Sequence, residues 1–353
     1  MIFILAAFVL ITILGMRYSR KGNNNFFDQS QTNCIRGFFV LIIFMNHFNS
    51  YLKPELNSFG DSTYIETIRQ VGQMMVAPFL FFSGYGIYLS AQKKKNYMKE
   101  FPKRRVAKTY LFFALAIVIY LIYNLAMGTH YGLKTTLLAF TGWTSIGNSN
   151  WFMFAILFLY IATYISALLT GRKVSKKTIA LVFVATIAYI IFAKLKLKNE
   201  HWWYDTVLCY PFGMLFAAYY DRILSFFSKR RLPSALLALS IFVVLFNISN
   251  HSTLFLVTYN LLSCSLCFLI ARILFSLSIK SRILTFFGAY GFEIYILQRI
   301  PHSFFSSFLS GNPVLCFACS LLTTIVISVI FKKLTDLLFR LLKFDSGKSK
   351  SVK

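Results

Sequence analysis

The chain has 353 residues, of which 57% are hydrophobic, 18% aromatic and only 14% charged, with a mean hydropathy of +0.64. A soluble domain carries about a quarter charged residues, so this composition excludes a soluble globular protein and points to a polytopic membrane protein. The net charge of +26, from 37 Lys and Arg against 11 Asp and Glu, would suggest nucleic acid in a soluble chain. Here the position of each charge relative to the spans decides its meaning, and no nucleic-acid partner is expected.

Apolar segments fall at 1–16, 34–52, 70–91, 107–127, 150–170, 178–193, 203–220, 233–248, 253–274, 284–298 and 313–332, which predicts about eleven helices joined by short loops. The first is apolar from Met1, with Arg17, Arg20 and Lys21 after it, so it reads as an uncleaved helix that either crosses the bilayer or lies in its interface. Asn-rich Gly22 to Asn25 reads as a linker, dividing the chain into an extra helix with linker over 1–30, a core over 31–335 and a basic cytoplasmic tail over 336–353. If the segment 17–33 is cytoplasmic, thirty of the 37 basic residues fall inside and seven outside. That imbalance over short loops places the amino terminus outside and the carboxyl terminus inside.

Only the loop holding Lys93, Lys94, Lys95, Lys99, Lys103, Arg104, Arg105 and Lys108 is more basic than orientation requires. Two readings remain open for it, a face touching anionic lipid and a pocket for an anionic cofactor. Cys264-Ser-Leu-Cys267 and Cys316-Phe-Ala-Cys319 repeat a CxxC spacing inside apolar runs, with no charged or His neighbour. They read as small packing residues, and no metal is expected. Ser83 with Gly84 reads first as a helix-packing point and second as polar lining of a tunnel.

Within 34–52, Arg36 stands near one end of an apolar span and His47 eleven positions later. Eleven helical residues rise about 16 Å and complete almost three turns, so both side chains lie on one face at different depths. A cation at the mouth of a span and an imidazole deep within it mark a functional site.

At these residues the sequence resembles a known family. Cys34-Ile35-Arg36-Gly37 through Asn46-His47 resembles the Arg, ten residues, His helix of the acyltransferase 3 family of bacterial membrane O-acyltransferases. Ala77-Pro78-Phe79-Leu80-Phe81-Phe82-Ser83-Gly84-Tyr85 and Arg104-Arg105-Val106-Ala107-Lys108-Thr109-Tyr110 are similar to its next two motifs. Gly288 to Gln298 is similar to its late Gly…Ser-Leu-Glu-Ile-Tyr-Leu-Leu-His. Two positions depart from the pattern: Gln298 replaces the late His, and Asn150 precedes Trp151 where many members have His. Gln and Asn can hydrogen-bond a sugar hydroxyl but exchange no proton near neutral pH.

The resemblance implies an all-helical, multi-pass enzyme of the bacterial inner membrane, with a ten-helix core and one additional amino-terminal helix. It implies transfer of an acyl group, usually acetyl, from cytoplasmic acetyl-CoA or another acyl-CoA to a hydroxyl of an exopolysaccharide, capsule or other envelope glycan, or of its lipid-linked precursor. Polysaccharide-biosynthesis machinery is an associated partner. Arg36, Arg104, Arg105 and Lys108 are the candidates for the coenzyme A phosphates, since Arg pairs phosphate bidentately. The span from Arg36 to His47 is comparable to an extended pantetheine arm, which brings the thioester to the imidazole.

His47 is the candidate catalytic residue, either as a general base toward the attacking hydroxyl or as an acyl acceptor. Glu293 lies eleven residues after Arg282, which predicts a depth similar to that of His47 and a role in orienting it. Asn46, Asn150, Trp151, Tyr295 and Gln298 are the candidate acceptor-binding residues, and His201 to Asp205 reads as either interface anchor or sugar platform. The competing readings are a succinyl donor, a glycan transporter or flippase, and a catalytically silent member.

Overall fold

The computed structural model describes residues 1–51, 61–196, 200–251 and 255–344. The protein is an all-α bundle, and among the described residues seven helices are long and apolar enough to cross a membrane: Gln73–Lys93, Tyr97–Ala126, Trp151–Leu169, Lys176–Lys196, Arg231–Ser249, Leu256–Ser276 and Pro313–Leu341. Ile2–Leu14 and Cys209–Ala218 are apolar but shorter. Residues 345–353 of the expected basic tail lie outside the described residues.

The Gln29–Asn49 helix sits in the middle of the bundle and buries twelve of its 21 residues. Asp28 starts it by accepting a hydrogen bond from the Gln31 amide at 2.8 Å, which satisfies one of the orphan donors of the first turn. Its closest partner is the Arg282–Ala289 helix. A Cβ placed on Gly37 would fall 1.9 Å from the Leu284 carbonyl oxygen, and one on Gly288 would fall 1.9 Å from that of Asn33. Backbone therefore touches backbone where the two helices cross. A second reciprocal contact joins Ala77–Lys93 to Cys209–Ala218, with Gly84 against the Tyr210 carbonyl at 2.0 Å and Gly213 against that of Phe81 at 2.1 Å. Without an aqueous drive to associate, membrane helices rely on such close packing.

Three expectations change. The segment expected as one helix over 284–298 breaks at Tyr290 into Arg282–Ala289 and Gly291–Leu297. The run 203–220 is a turn at His201–Trp203 followed by the short Cys209–Ala218 helix. The stretch after the amino-terminal helix, expected as a linker, pairs with the core. Met16–Tyr18 forms an antiparallel ribbon with Leu277–Ile279, pairing Met16 with Ile279 and Tyr18 with Leu277. Beyond it, the Ser19 and Asn23 amides donate to the Ser276 and Phe275 carbonyls at 2.8 and 2.7 Å. Phe26 is fully buried among Phe216, Tyr220, Phe227 and Phe275. Aromatic burial of this kind fixes a chain that composition alone marks as a loop.

Candidate functional site

A cavity of about 310 Å³ opens beside the central helix. Arg36 and Arg105 line it together with Ser83, Thr109, Tyr160 and Tyr295, and the rest of the wall is mostly apolar, including Phe79, Phe82, Phe152 and Ile156. Arg105 is carried on a wide π-helical stretch, Pro102–Ala107, inside the long Tyr97–Ala126 helix. Its Nε donates to the Tyr97 hydroxyl at 3.2 Å, which leaves the outer nitrogens of the fork available. The Ser83 and Tyr160 hydroxyls are 2.9 Å apart across the cavity. Two cations and a few hydroxyls converging in an apolar recess suit a ligand with an anionic head and an apolar or amide arm.

His47 stands beside this cavity. The Tyr295 ring lines the cavity and its centre is 5.9 Å from that of the imidazole, so His47 lies directly behind the Tyr295 wall. Gln298 Nε2 lies 2.8 Å from His47 Nδ1 and donates to the Tyr295 carbonyl at 3.1 Å. A carbonyl only accepts, so it assigns the amide nitrogen to this side of Gln298. His47 Nδ1 is then the acceptor, and the neutral imidazole carries its hydrogen on Nε2. Gln298 is fully buried and its Oε1 has no hydrogen-bond partner among the described residues. The replacement of the late His by Gln thus leaves a residue that still touches His47.

Glu293 is not the partner of His47. Its carboxylate accepts from Lys332 Nζ at 3.0 Å and faces the Arg36 guanidinium within electrostatic range. The expectation of equal depth fails on register. Gln31 bonds the backbone of Ile279, Gly291 lies against Val40, and Gln298 meets His47. The two segments climb together with an offset that puts Glu293 about one turn short of His47. Glu293, only 4% exposed, is instead a buried counter-charge shared by Lys332 and Arg36.

The other predicted residues divide. Arg104 pairs with Glu100 at 3.0 Å, and Lys108 Nζ stands 4.8 Å from the centre of the Phe339 ring; neither lines the cavity. Asn46 turns to Gly72, where a Cβ would come within 2.9 Å of its Oδ1. Asn150 Nδ2 donates to the Gly142 carbonyl at 2.8 Å and closes the loop before the Trp151–Leu169 helix. Trp151 is buried edge-on against Phe152, behind the cavity wall.

The His201 turn is built as an anchor. His201 Nδ1 donates to Asp205 at 2.9 Å, and Trp203 Nε1 donates to Glu200 at 2.6 Å while its ring packs on Trp143 and Phe154. Sequence reading missed Tyr160, Thr109 and Phe152 because apolar helices offer nothing to separate a lining residue from a packing one. It missed Lys332 because a Lys at the end of a span reads as an orientation signal. All six cysteines are free thiols, and the Cys209 and Cys264 sulfurs lie 3.8 Å apart.

The structure is thus a helical bundle with several apolar helices long enough to cross a membrane and a cavity lined by two arginines. The family profile described as "Acyltransferase domain" matches residues 30–333, and the chain belongs to that family, the acyltransferase 3 family. The protein is a multi-pass membrane acyltransferase. No curated protein and no solved structure shows significant similarity to it.

Proposed function

We propose that the protein moves an acetyl group from cytoplasmic acetyl-CoA to a hydroxyl of a bacterial envelope glycan, an exopolysaccharide, a capsule or a lipid-linked precursor, at the inner membrane. The observation that carries this reading is one cavity lined by Arg36, Arg105 and Tyr295, with the His47 ring 5.9 Å from that of Tyr295. About 310 Å³ is at the small end of ligand pockets, which fits a thioester arm with the nucleotide left at the mouth. Arg36 and Arg105 supply the fork geometry that phosphates favour.

In the transfer, the acceptor oxygen bonds to the thioester carbonyl carbon, the carbon–sulfur bond breaks, and the hydroxyl proton leaves through His47 to the departing thiolate. Base catalysis from Nε2 requires the imidazole hydrogen on Nδ1. That tautomer needs a half-turn of the Gln298 amide, which presents Oε1 to Nδ1 and gives up the bond from Nε2 to the Tyr295 carbonyl.

The test is cleavage of labelled acetyl-CoA by the purified full chain. His47→Ala is expected to lower the rate by about 10²- to 10⁴-fold, and Arg36→Gln to raise the KM for the donor by roughly tenfold or more. No cleavage by the wild type, with glycan movement in vesicles, would favour a transporter.

A further inference from the structure

Directly after Gln298, which holds His47, comes Arg299. It is half-buried, and its Nε donates to the Ser149 hydroxyl at 2.9 Å. That bond and one to the Tyr51 side chain leave further donors of the guanidinium's five. Among the described residues no carboxylate pairs with it. Glu66 is committed to Arg69, Glu100 to Arg104, Glu293 to Lys332 and Asp205 to His201. A cation held at the edge of a membrane bundle without a counter-ion is costly, and its retention signals a ligand that supplies the opposite charge.

The surroundings fit a polar ligand. The guanidinium hydrogen-bonds the Tyr51 side chain and lies within electrostatic range of His47 and Tyr295. Buried polar atoms around it lack partners among the described residues: Gln298 Oε1 on the preceding residue, Asn148 Nδ2 beside Ser149, and the Tyr123 hydroxyl close to Tyr51. Their residues are at most 2% exposed for Gln298 and Asn148. Unmade hydrogen bonds of this kind are rare in folded chains and concentrate where a ligand completes them.

We propose that Arg299 anchors an acid group of the acceptor, so that the enzyme selects an anionic glycan and presents a hydroxyl close to that group to His47. The reading rests on the acyl transfer proposed above. The Arg299 guanidinium lies within electrostatic range of His47, so one ligand can place an oxyanion on Arg299 and a hydroxyl toward His47. That placement suits either a sugar carboxylate beside a ring hydroxyl or a phosphodiester beside one. An uncharged glycan would leave the guanidinium unpaired and lose the bidentate contact.

The experiment measures binding without any donor, so that it stays separate from the transfer reaction. The detergent-solubilised full chain is titrated calorimetrically with methyl glucuronoside, glycerol phosphate and methyl glucoside. Wild type is expected to bind at least one anionic probe about tenfold more tightly than methyl glucoside, as for a hydrogen bond to a charged group. The better of the two anions tells carboxylate from phosphate. Arg299→Gln is expected to remove the preference and Arg299→Lys to keep part of it, each with an unchanged melting midpoint in the absence of ligand. Equal or no binding of the three probes by wild type, or a preference that survives Arg299→Gln, overturns the assignment. Should Arg299→Gln fail to fold, the wild-type preference and the Arg299→Lys variant still decide it. Failure of wild type to cleave acetyl-CoA sinks the transfer reaction and leaves this binding result standing on its own.

Discussion

The Gln29–Asn49 helix and the Arg231–Ser249 helix teach opposite lessons about apolarity. By length and composition the second qualifies as a span and the first does not. Yet the first is the more deeply packed, with backbone contacts at Gly37, while the second turns Leu232, Leu236 and Val244 outward at 68%, 55% and 53% exposure. A helix that faces lipid must be apolar because nothing else satisfies a polar group there. One shielded by neighbouring helices is released from that demand, and it can keep Arg36, Asn46 and His47. In this protein the least lipid-like central helix is the one that holds Arg36 and His47.

Substitutions that attack the shield should therefore cost most. Gly37→Leu drives a side chain into the Leu284 carbonyl, and a loss of about 3 kcal/mol in stability, or failure to fold, is expected from the melting of the solubilised protein. The polar contact that the shield permits comes next. Gln298→Leu removes the donor to His47 Nδ1, and a fall in acyl transfer of about 10- to 100-fold is expected at nearly unchanged KM for the donor. Gln298→Glu, whose carboxylate accepts from Nδ1–H, should recover part of that loss if base catalysis runs through Nε2. An unchanged rate in Gln298→Leu would remove the amide from the mechanism.

Lys332→Met tests the counter-charge that Lys332 and Arg36 share. Lys332 remains 36% exposed, so about 1–2 kcal/mol is expected, together with a weaker hold on the donor as Glu293 draws Arg36 toward itself. At the far end of the scale, Leu236→Ala on the lipid-facing helix should stay within about 0.5 kcal/mol and leave activity intact. A large effect there would mean that this face meets protein instead of lipid.

The Arg36–His47 pair was legible because charge and imidazole inside an apolar span have few benign explanations. Gln298 was legible as a departure from a motif, and its contact with His47 appears only in three dimensions. Glu293 shows where linear reasoning fails. Counting eleven residues from a basic one assumed equal starting depths and an unbroken helix, whereas the break at Tyr290 and the offset against Gln29–Asn49 deliver Glu293 to Lys332 and Arg36. Asn150 and Trp151, read as acceptor contacts, serve the loop and the wall behind the cavity.

By itself the sequence determined the environment, the helical class, the family and the central helix with its cation and imidazole. Those properties follow from composition and local spacing, which the bilayer makes decisive by leaving the backbone few alternatives. Only the tertiary structure decided which cations line the cavity, which residue holds His47, and how the amino-terminal segment is stitched to the core. Each of these depends on the register between helices far apart in the chain, set by close contacts such as Gly37 on Leu284, and no local pattern records that register.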